Sequence, residues 1–213
     1  IFGEPMGFWK NNMPPGMLLK SYPWASNLSD PRSEFTTRSF CTERALPYHN
    51  ELMPLPLDRF AEYGEAFQAR YVPSVERKKL MELEPVPVGF HAAFEDGETL
   101  HARRVVIATG LHSFKHMPAE AAHLPIDLCS HSSDYGSVEQ LDGKNVIVIG
   151  AGSSATDLAA LLHERGISVS LVTRASNLTF AGRPRPRTWF ERIAAPMSGI
   201  GNGWSTAVCA KYP

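Results

Sequence analysis

A glycine-punctuated junction in the last third of the chain constrains the fold more than any other feature. Asn145-Val146-Ile147-Val148-Ile149 is an apolar run, and Gly150-Ala151-Gly152-Ser153-Ser154-Ala155 follows it directly. The pattern predicts a buried strand up to Ile149, a helix over 153–165, a helix stop at Gly166 and a further strand over 168–173. In a strand–turn–helix setting the GxGxxA spacing has a mechanical meaning. Gly150 permits the tight turn, Gly152 lets the backbone approach a pyrophosphate, and the small Ala155 permits close helix–strand packing. The helix start also offers free N–H groups and the positive end of its dipole to phosphate. Gly150, Ala151, Gly152, Ser153, Ser154 and Ala155 are therefore the candidate nucleotide cradle.

The residues after the next strand bear on which nucleotide. An NAD-selective site places Asp or Glu there to hold the ribose 2′-hydroxyl, whereas an arginine accommodates a 2′-phosphate. Here the chain reads Thr173-Arg174-Ala175-Ser176, with no acid. A guanidinium pairs bidentately with phosphate and a carboxylate repels it, so Arg174 favours NADP(H). Arg183, Arg185 and Arg187 stand further on, separated by prolines in what reads as a solvated loop, and are the next candidates for the same task.

Upstream, residues 1–56 hold many breakers, among them Pro14-Pro15-Gly16, Pro23, Pro31 and Pro47, and read as long connections. Leu57, Phe60, Tyr63 or Gly64, Phe67 and Tyr71 recur at helical steps between charged residues, which predicts an amphipathic helix over 57–72. The period then changes to two. Phe90, Ala92 and Phe94 mark a strand, Asp96-Gly97 a hairpin turn, and a second strand begins near Thr99. That strand leads through Arg103-Arg104 into Val105-Val106-Ile107-Ala108-Thr109-Gly110, an apolar run that suits a strand buried on both faces. Residues 111–143 read as a linker. Ser198-Gly199-Ile200-Gly201-Asn202-Gly203-Trp204 is glycine-rich and reads as a loop near the nucleotide.

Composition narrows the function classes. A formal net charge of −1 over 213 residues gives no electrostatic case for nucleic acid or an anionic membrane. Cys41, Cys129 and Cys209 form no CxxC, which excludes a dithiol reductase site and points to a reducing, cytoplasmic setting. No apolar stretch has the length of a membrane span. His112 and His116 have i, i+4 spacing, but Pro118 and the loop setting speak against a helical metal pair. No G-x-S-x-G elbow is present. The chain opens on Ile1 without a methionine, which reads as a fragment.

Taken together, the chain resembles the class B flavoprotein monooxygenases, the group of flavin-containing monooxygenases, Baeyer–Villiger monooxygenases and N-hydroxylases. Three features bear the resemblance, in the family's order. Residues 105–110 are similar to the "ATG" motif where the chain leaves the FAD domain. Ser130-His131-Ser132-Ser133-Asp134-Tyr135 is similar to the H-S-x-x-Y/W linker. The third feature is the nicotinamide-nucleotide turn with Ser154, Asp157 and Arg174. Met17 to Trp24 also resembles the stretch before the flavin ring, on a looser motif. The family's first GxGxxG is absent and is expected upstream of Ile1. The Baeyer–Villiger linker has Phe and Gly where Pro125 and Asp127 stand here, which leaves the flavin-containing and N-hydroxylating branches open.

The resemblance implies an α/β fold, a two-dinucleotide-binding-domain flavoprotein with partial three-layer Rossmann-like domains. Residues 1–115 would be part of an FAD-binding domain, 116–143 an interdomain linker and 144–213 the start of an NADP-binding domain. It implies FAD and NADPH as cofactors, with Thr109 and Gly110 near the flavin, and O₂ with a small N-, S- or carbonyl-containing molecule as substrates. Oxygenation would run through a C4a-(hydro)peroxyflavin, with His131 as the linker residue closest to catalysis. The alternatives are a flavin-dependent NADPH reductase or oxidase without substrate oxygenation, and a non-catalytic NADPH-binding sensor. Nothing in the sequence sets an oligomeric state.

Overall fold

The computed structural model describes residues 1–110, 112–174, 176–178, 180, 185–198 and 201–211. Helices α1 (Gly7–Asn11), α2 (Thr37–Glu43) and α3 (Leu57–Tyr71) come first. Strands β1 (Leu80–Val86), β2 (Gly89–Phe94) and β3 (Thr99–Ala102) then form an antiparallel sheet in the order β1-β2-β3. Short 3-10 turns at His112–Phe114, Ser132–Asp134 and Glu139–Leu141 lead to β4 (Asn145–Ile149), α4 (Ser153–Glu164) and β5 (Ser168–Val172). The chain continues through α5 (Trp189–Ala194), the antiparallel pair β6 (Met197–Ser198) and β7 (Gly201–Asn202), and α6 (Trp204–Lys211). No helix among the described residues is long and apolar enough to cross a membrane.

Two compact units result, one of residues 1–14 and 64–140, the other of residues 15–63 and 141–213. In the first, the period-two pattern of β2 places Ala92 and Phe94 on the covered face, at 5% and 6% exposure. Phe2 lies against Phe94 with ring centroids 4.5 Å apart. The hairpin turns at Gly97, whose N–H donates to the Phe94 carbonyl. Strand β1 has no counterpart in the sequence reading, because Pro85 within it and Pro87 after it hide the alternation. Proline is tolerated there because β1 is an edge strand.

In the second unit an aromatic cluster forms the core. Tyr63, Phe35 and Phe40 are at most 2% exposed, and Phe60 packs beside Tyr63. The Tyr63 hydroxyl donates to the Phe35 carbonyl at 2.6 Å and accepts from the Leu28 N–H at 3.1 Å, so the buried phenol is satisfied. Helices α1 and α2 were not expected among the breakers of residues 1–56. The start of α2 is nevertheless written locally, since Thr36 and Ser39 cap each other's backbone reciprocally. Asp30 fixes the loop before it by accepting the N–H groups of Arg32, Glu34 and Phe35. Leu19 and Leu57 tie the entrance of α3 to residues 55 and 17 through backbone hydrogen bonds.

Strands β4 and β5 pair in parallel from Asn145↔Ser168 to Ile149↔Val172, with α4 as the crossover. Leu158 and Leu162 of α4 are buried with Val148, Ile167 and Leu141. Asp142 receives a bidentate pair from Arg165, at 2.6 and 2.7 Å, which ties the end of α4 to the approach to β4. Here β4 departs from the reading of a fully buried strand. Ile147 and Ile149 are 66% and 76% exposed, because only one face of the β4–β5 pair is covered by α4 among the described residues.

A larger departure concerns residues 105–110, expected as a strand buried on both faces. They form no strand, and β3 ends at Ala102. Val106 and Ile107 are 89% and 72% exposed. The physical reason is that a strand exists only through a ladder, and no described strand pairs with this run. The glycine-rich segment expected as a loop contains the β6–β7 pair, while Gly199 and Ile200 within it lie outside the described residues.

Candidate functional site

The β4–α4 turn is built as its glycines require. Gly150 adopts φ +142°, and its N–H donates to the Val172 carbonyl at 2.9 Å, extending the parallel ladder into the turn. A Cβ on Gly150 would meet the Ala155 Cβ at 3.2 Å, so the small residue at each position permits the other. Gly152 is different. It is the N-cap of α4 with φ −81° and ψ 169°, an ordinary extended conformation, and a Cβ placed there would have nothing within 4 Å. The protein's own packing therefore makes no demand for glycine at 152.

Ala155 and Thr156 donate to the Gly152 carbonyl, at 3.1 Å each, which starts the helix. Among the described residues no backbone carbonyl accepts from the N–H groups of Gly152, Ser153 or Ser154. These are the orphan donors of a helix start, aimed with the positive end of a 12-residue helix. Ala151, Gly152, Ser153 and Ser154 are all exposed. The open space, the unclaimed donors and the two serine hydroxyls fit a dinucleotide pyrophosphate. One turn further on, Asp157 is held by Lys20, Nζ to Oδ1 2.7 Å.

Arg174 stands two residues beyond the end of β5, at the same carboxyl edge of the parallel pair as the turn. It is exposed and has no acidic partner among the described residues. The other arginines differ in this respect. Arg185 bonds Glu191 through both terminal nitrogens and, with Thr188, holds that carboxyl down to about 2. Arg187 donates to the carbonyls of Glu191 and Ala195. Arg183 lies outside the described residues.

The histidine segment belongs to the first unit and is tightly hydrogen-bonded. His131 caps the 3-10 turn Ser132–Asp134, its Nδ1 accepting the Ser133 N–H at 3.2 Å. Asp134 accepts the His131 N–H at 3.0 Å and bonds Lys115 at 2.6 Å. Burial pushes the Asp134 carboxyl up, but the Lys115 ammonium and the His131 N–H outweigh it and hold the group below its ordinary value of 3.8. Asn12 donates to the Ser133 carbonyl at 2.8 Å, and Ser130 shares a hydrogen bond with the Tyr135 hydroxyl. With Nδ1 accepting, the neutral imidazole has its proton on Nε2, which is left as a donor. Thr109 and Gly110 lie exposed in the irregular run after β3. Gly110 has φ +68° and open space where a Cβ would stand. Among the described residues no three metal-ligating side chains converge.

A parallel βαβ unit with a glycine turn at its carboxyl edge, in a chain that also contains a β-meander, defines part of a dinucleotide-binding flavoprotein fold. The pyridine nucleotide-disulphide oxidoreductase family matches residues 33–194. The chain belongs to this family, and the relatives it matches include flavoprotein monooxygenases. It is 29% identical over 159 residues to the indole-3-pyruvate monooxygenase YUCCA1 of Oryza sativa subsp. japonica, covering 71% of this chain and 38% of that protein. It is 40% identical over 75 residues to flavin-containing monooxygenase 5 of Oryctolagus cuniculus, 33% of this chain and 14% of that protein. Among solved structures, a flavin-containing monooxygenase from Stenotrophomonas maltophilia superposes with a TM-score of 0.55 at 17% identity, over 83% of this chain and 49% of that one. The ornithine hydroxylase PvdA from Pseudomonas aeruginosa gives a TM-score of 0.54 at 15% identity, over 88% and 49%. Such identities speak for the fold alone. The chain spans about half the length of these solved relatives, and less of the two sequence relatives.

Proposed function

We propose that this chain supplies the NADPH-binding turn and the interdomain linker of an FAD-dependent monooxygenase that acts on a small N-, S- or carbonyl-containing molecule with O₂. The observation that supports this most is Gly152. Among the described residues there is room for a side chain there, no conformational need for glycine and no acceptor for the N–H groups of Gly152, Ser153 and Ser154, which supports a site for a bound group. A pyrophosphate fits such a site. In this reading Gly150, Ala151, Gly152, Ser153, Ser154 and Ala155 form the cradle, and Arg174 takes the 2′-phosphate.

FAD, when bound, supplies the electron transfer and oxygen chemistry; this chain's residues position and shield. Thr109 and Gly110 are assigned to the flavin's edge, where glycine allows close backbone approach. His131 presents Nε2–H as a hydrogen-bond donor from a segment in which Ser130, Ser133, Asp134 and Tyr135 are hydrogen-bonded, which suits a residue that orients a bound group. The functional division into residues 1–115, 116–143 and 144–213, and a cytoplasmic location, belong to the same proposal.

The test is the cofactor preference of Arg174→Ala in the full-length protein. A charge-assisted bidentate pair to a phosphate that NADH lacks makes the loss one-sided. NADPH use should fall roughly ten- to a hundred-fold while NADH use changes little. Steady-state kinetics with both cofactors read this directly. Equal losses with both would mean that Arg174 supports the fold instead.

A further inference from the structure

Strands β2 and β3 bring His91 and His101 into direct register on the sheet face opposite the buried Ala92 and Phe94. Their ring centroids are 4.9 Å apart and the ring planes are tilted by 50°. Glu84 is the register partner of His91 on β1, so Glu84, His91 and His101 make one row across three strands. His91 is half-buried and His101 exposed. The nucleotide reading uses neither histidine.

The spacing is that of two ligands to one ion. Zinc–imidazole bonds run about 2.0–2.1 Å, so two rings sharing a near-tetrahedral ion hold their centroids roughly 5 Å apart. Directly opposed residues of an antiparallel pair are held at this range by the ladder itself, so little side-chain freedom is lost on chelation. Imidazole suits zinc, copper and nickel, whereas calcium and magnesium require oxygen ligands. We propose that His91 and His101 form a binding site for a divalent cation of the zinc and copper class on the outer face of the β-meander. With no third side chain converging on the pair among the described residues, water completes the shell, and Glu84 is the register partner of His91. A bound ion bridges β2 and β3 and raises the stability of this sheet by mass action.

The experiment uses copper(II) and zinc(II) on the full-length protein. One equivalent of copper(II) should give an electron paramagnetic resonance spectrum with hyperfine coupling to two imidazole nitrogens, and zinc(II) should displace it. His101→Gln, an exposed change that leaves the ladder intact, should weaken copper binding ten-fold or more without altering the melting temperature of the metal-free protein. A spectrum with one nitrogen or none overturns the assignment. So does an affinity that His101→Gln leaves unchanged. The wild-type spectrum decides the matter independently should the variant prove unstable.

Discussion

Residues 145–150 form a strand and a tight turn, whereas residues 105–110, also an apolar run closed by glycine, lie outside any sheet. The difference is not in the residues' own preferences, since Val105-Val106-Ile107 is as β-prone as Val146-Ile147-Val148. It is in what surrounds them. β4 has β5 to take its backbone groups and α4 to cover Val148, while 105–110 has neither among the described residues. A strand is a property of pairs, and its closing glycine becomes a tight strand-to-helix turn only when a helix begins directly behind it.

The sharpest way to test the first region is Gly152→Val. Because the position is extended and a Cβ there would touch nothing among the described residues, the variant should fold, losing about 1 kcal/mol or less because valine is a poorer N-cap than glycine. The same side chain would occupy the pyrophosphate's space, so reduction by NADPH in rapid mixing should slow roughly a hundred-fold or more. Unchanged reduction would show the turn to be structural only.

Next in size is the packing that separates the two regions. Leu162 is 0% exposed beneath β4, and Leu162→Ala should cost about 2–5 kcal/mol in denaturant unfolding.

A smaller effect is expected in the unit that contains 105–110, at Asp134. Its carboxyl titrates below 3.8 in the folded protein, so its contribution to stability is present above the unfolded value and is lost as pH falls through the folded one. Asp134→Asn should flatten the acid limb of the stability profile below about pH 4 and should change its slope little near neutrality. An unaltered acid limb would mean that the Lys115 pair does not hold the segment in solution.

The smallest effect should come from Val106→Ala, within about 0.5 kcal/mol, as expected of a side chain 89% exposed. A cost of 1 kcal/mol or more, by order of magnitude for a buried valine, would break the comparison. It would show that 105–110 is covered in the full-length protein, as its composition suggests.

Much of the candidate cradle's backbone was legible because its requirements are local. The turn at Gly150, the helix behind it and the missing acid after β5 are each decided within a few residues of chain, by backbone conformation, side-chain volume and charge. Helix α3 and the hairpin at Asp96-Gly97 were legible for the same reason, since their periods and turn chemistry sit in contiguous sequence. Helix α2 was hidden because its cap is a Thr36–Ser39 pair without the usual Glu or Gln.

The sequence by itself determined the strand–turn–helix, the residue types of the candidate nucleotide turn and the lack of a CxxC pair within these 213 residues. Only the tertiary structure decided which apolar runs become strands, because a ladder needs a partner distant in sequence. It alone showed that, among the described residues, nothing packs where a Gly152 side chain would stand and Arg174 has no acidic partner while Arg185 and Arg187 are engaged, and that His91 meets His101 across two strands. Those facts depend on which surfaces fold back on one another, and long-range contacts of that kind leave no periodic trace in the chain.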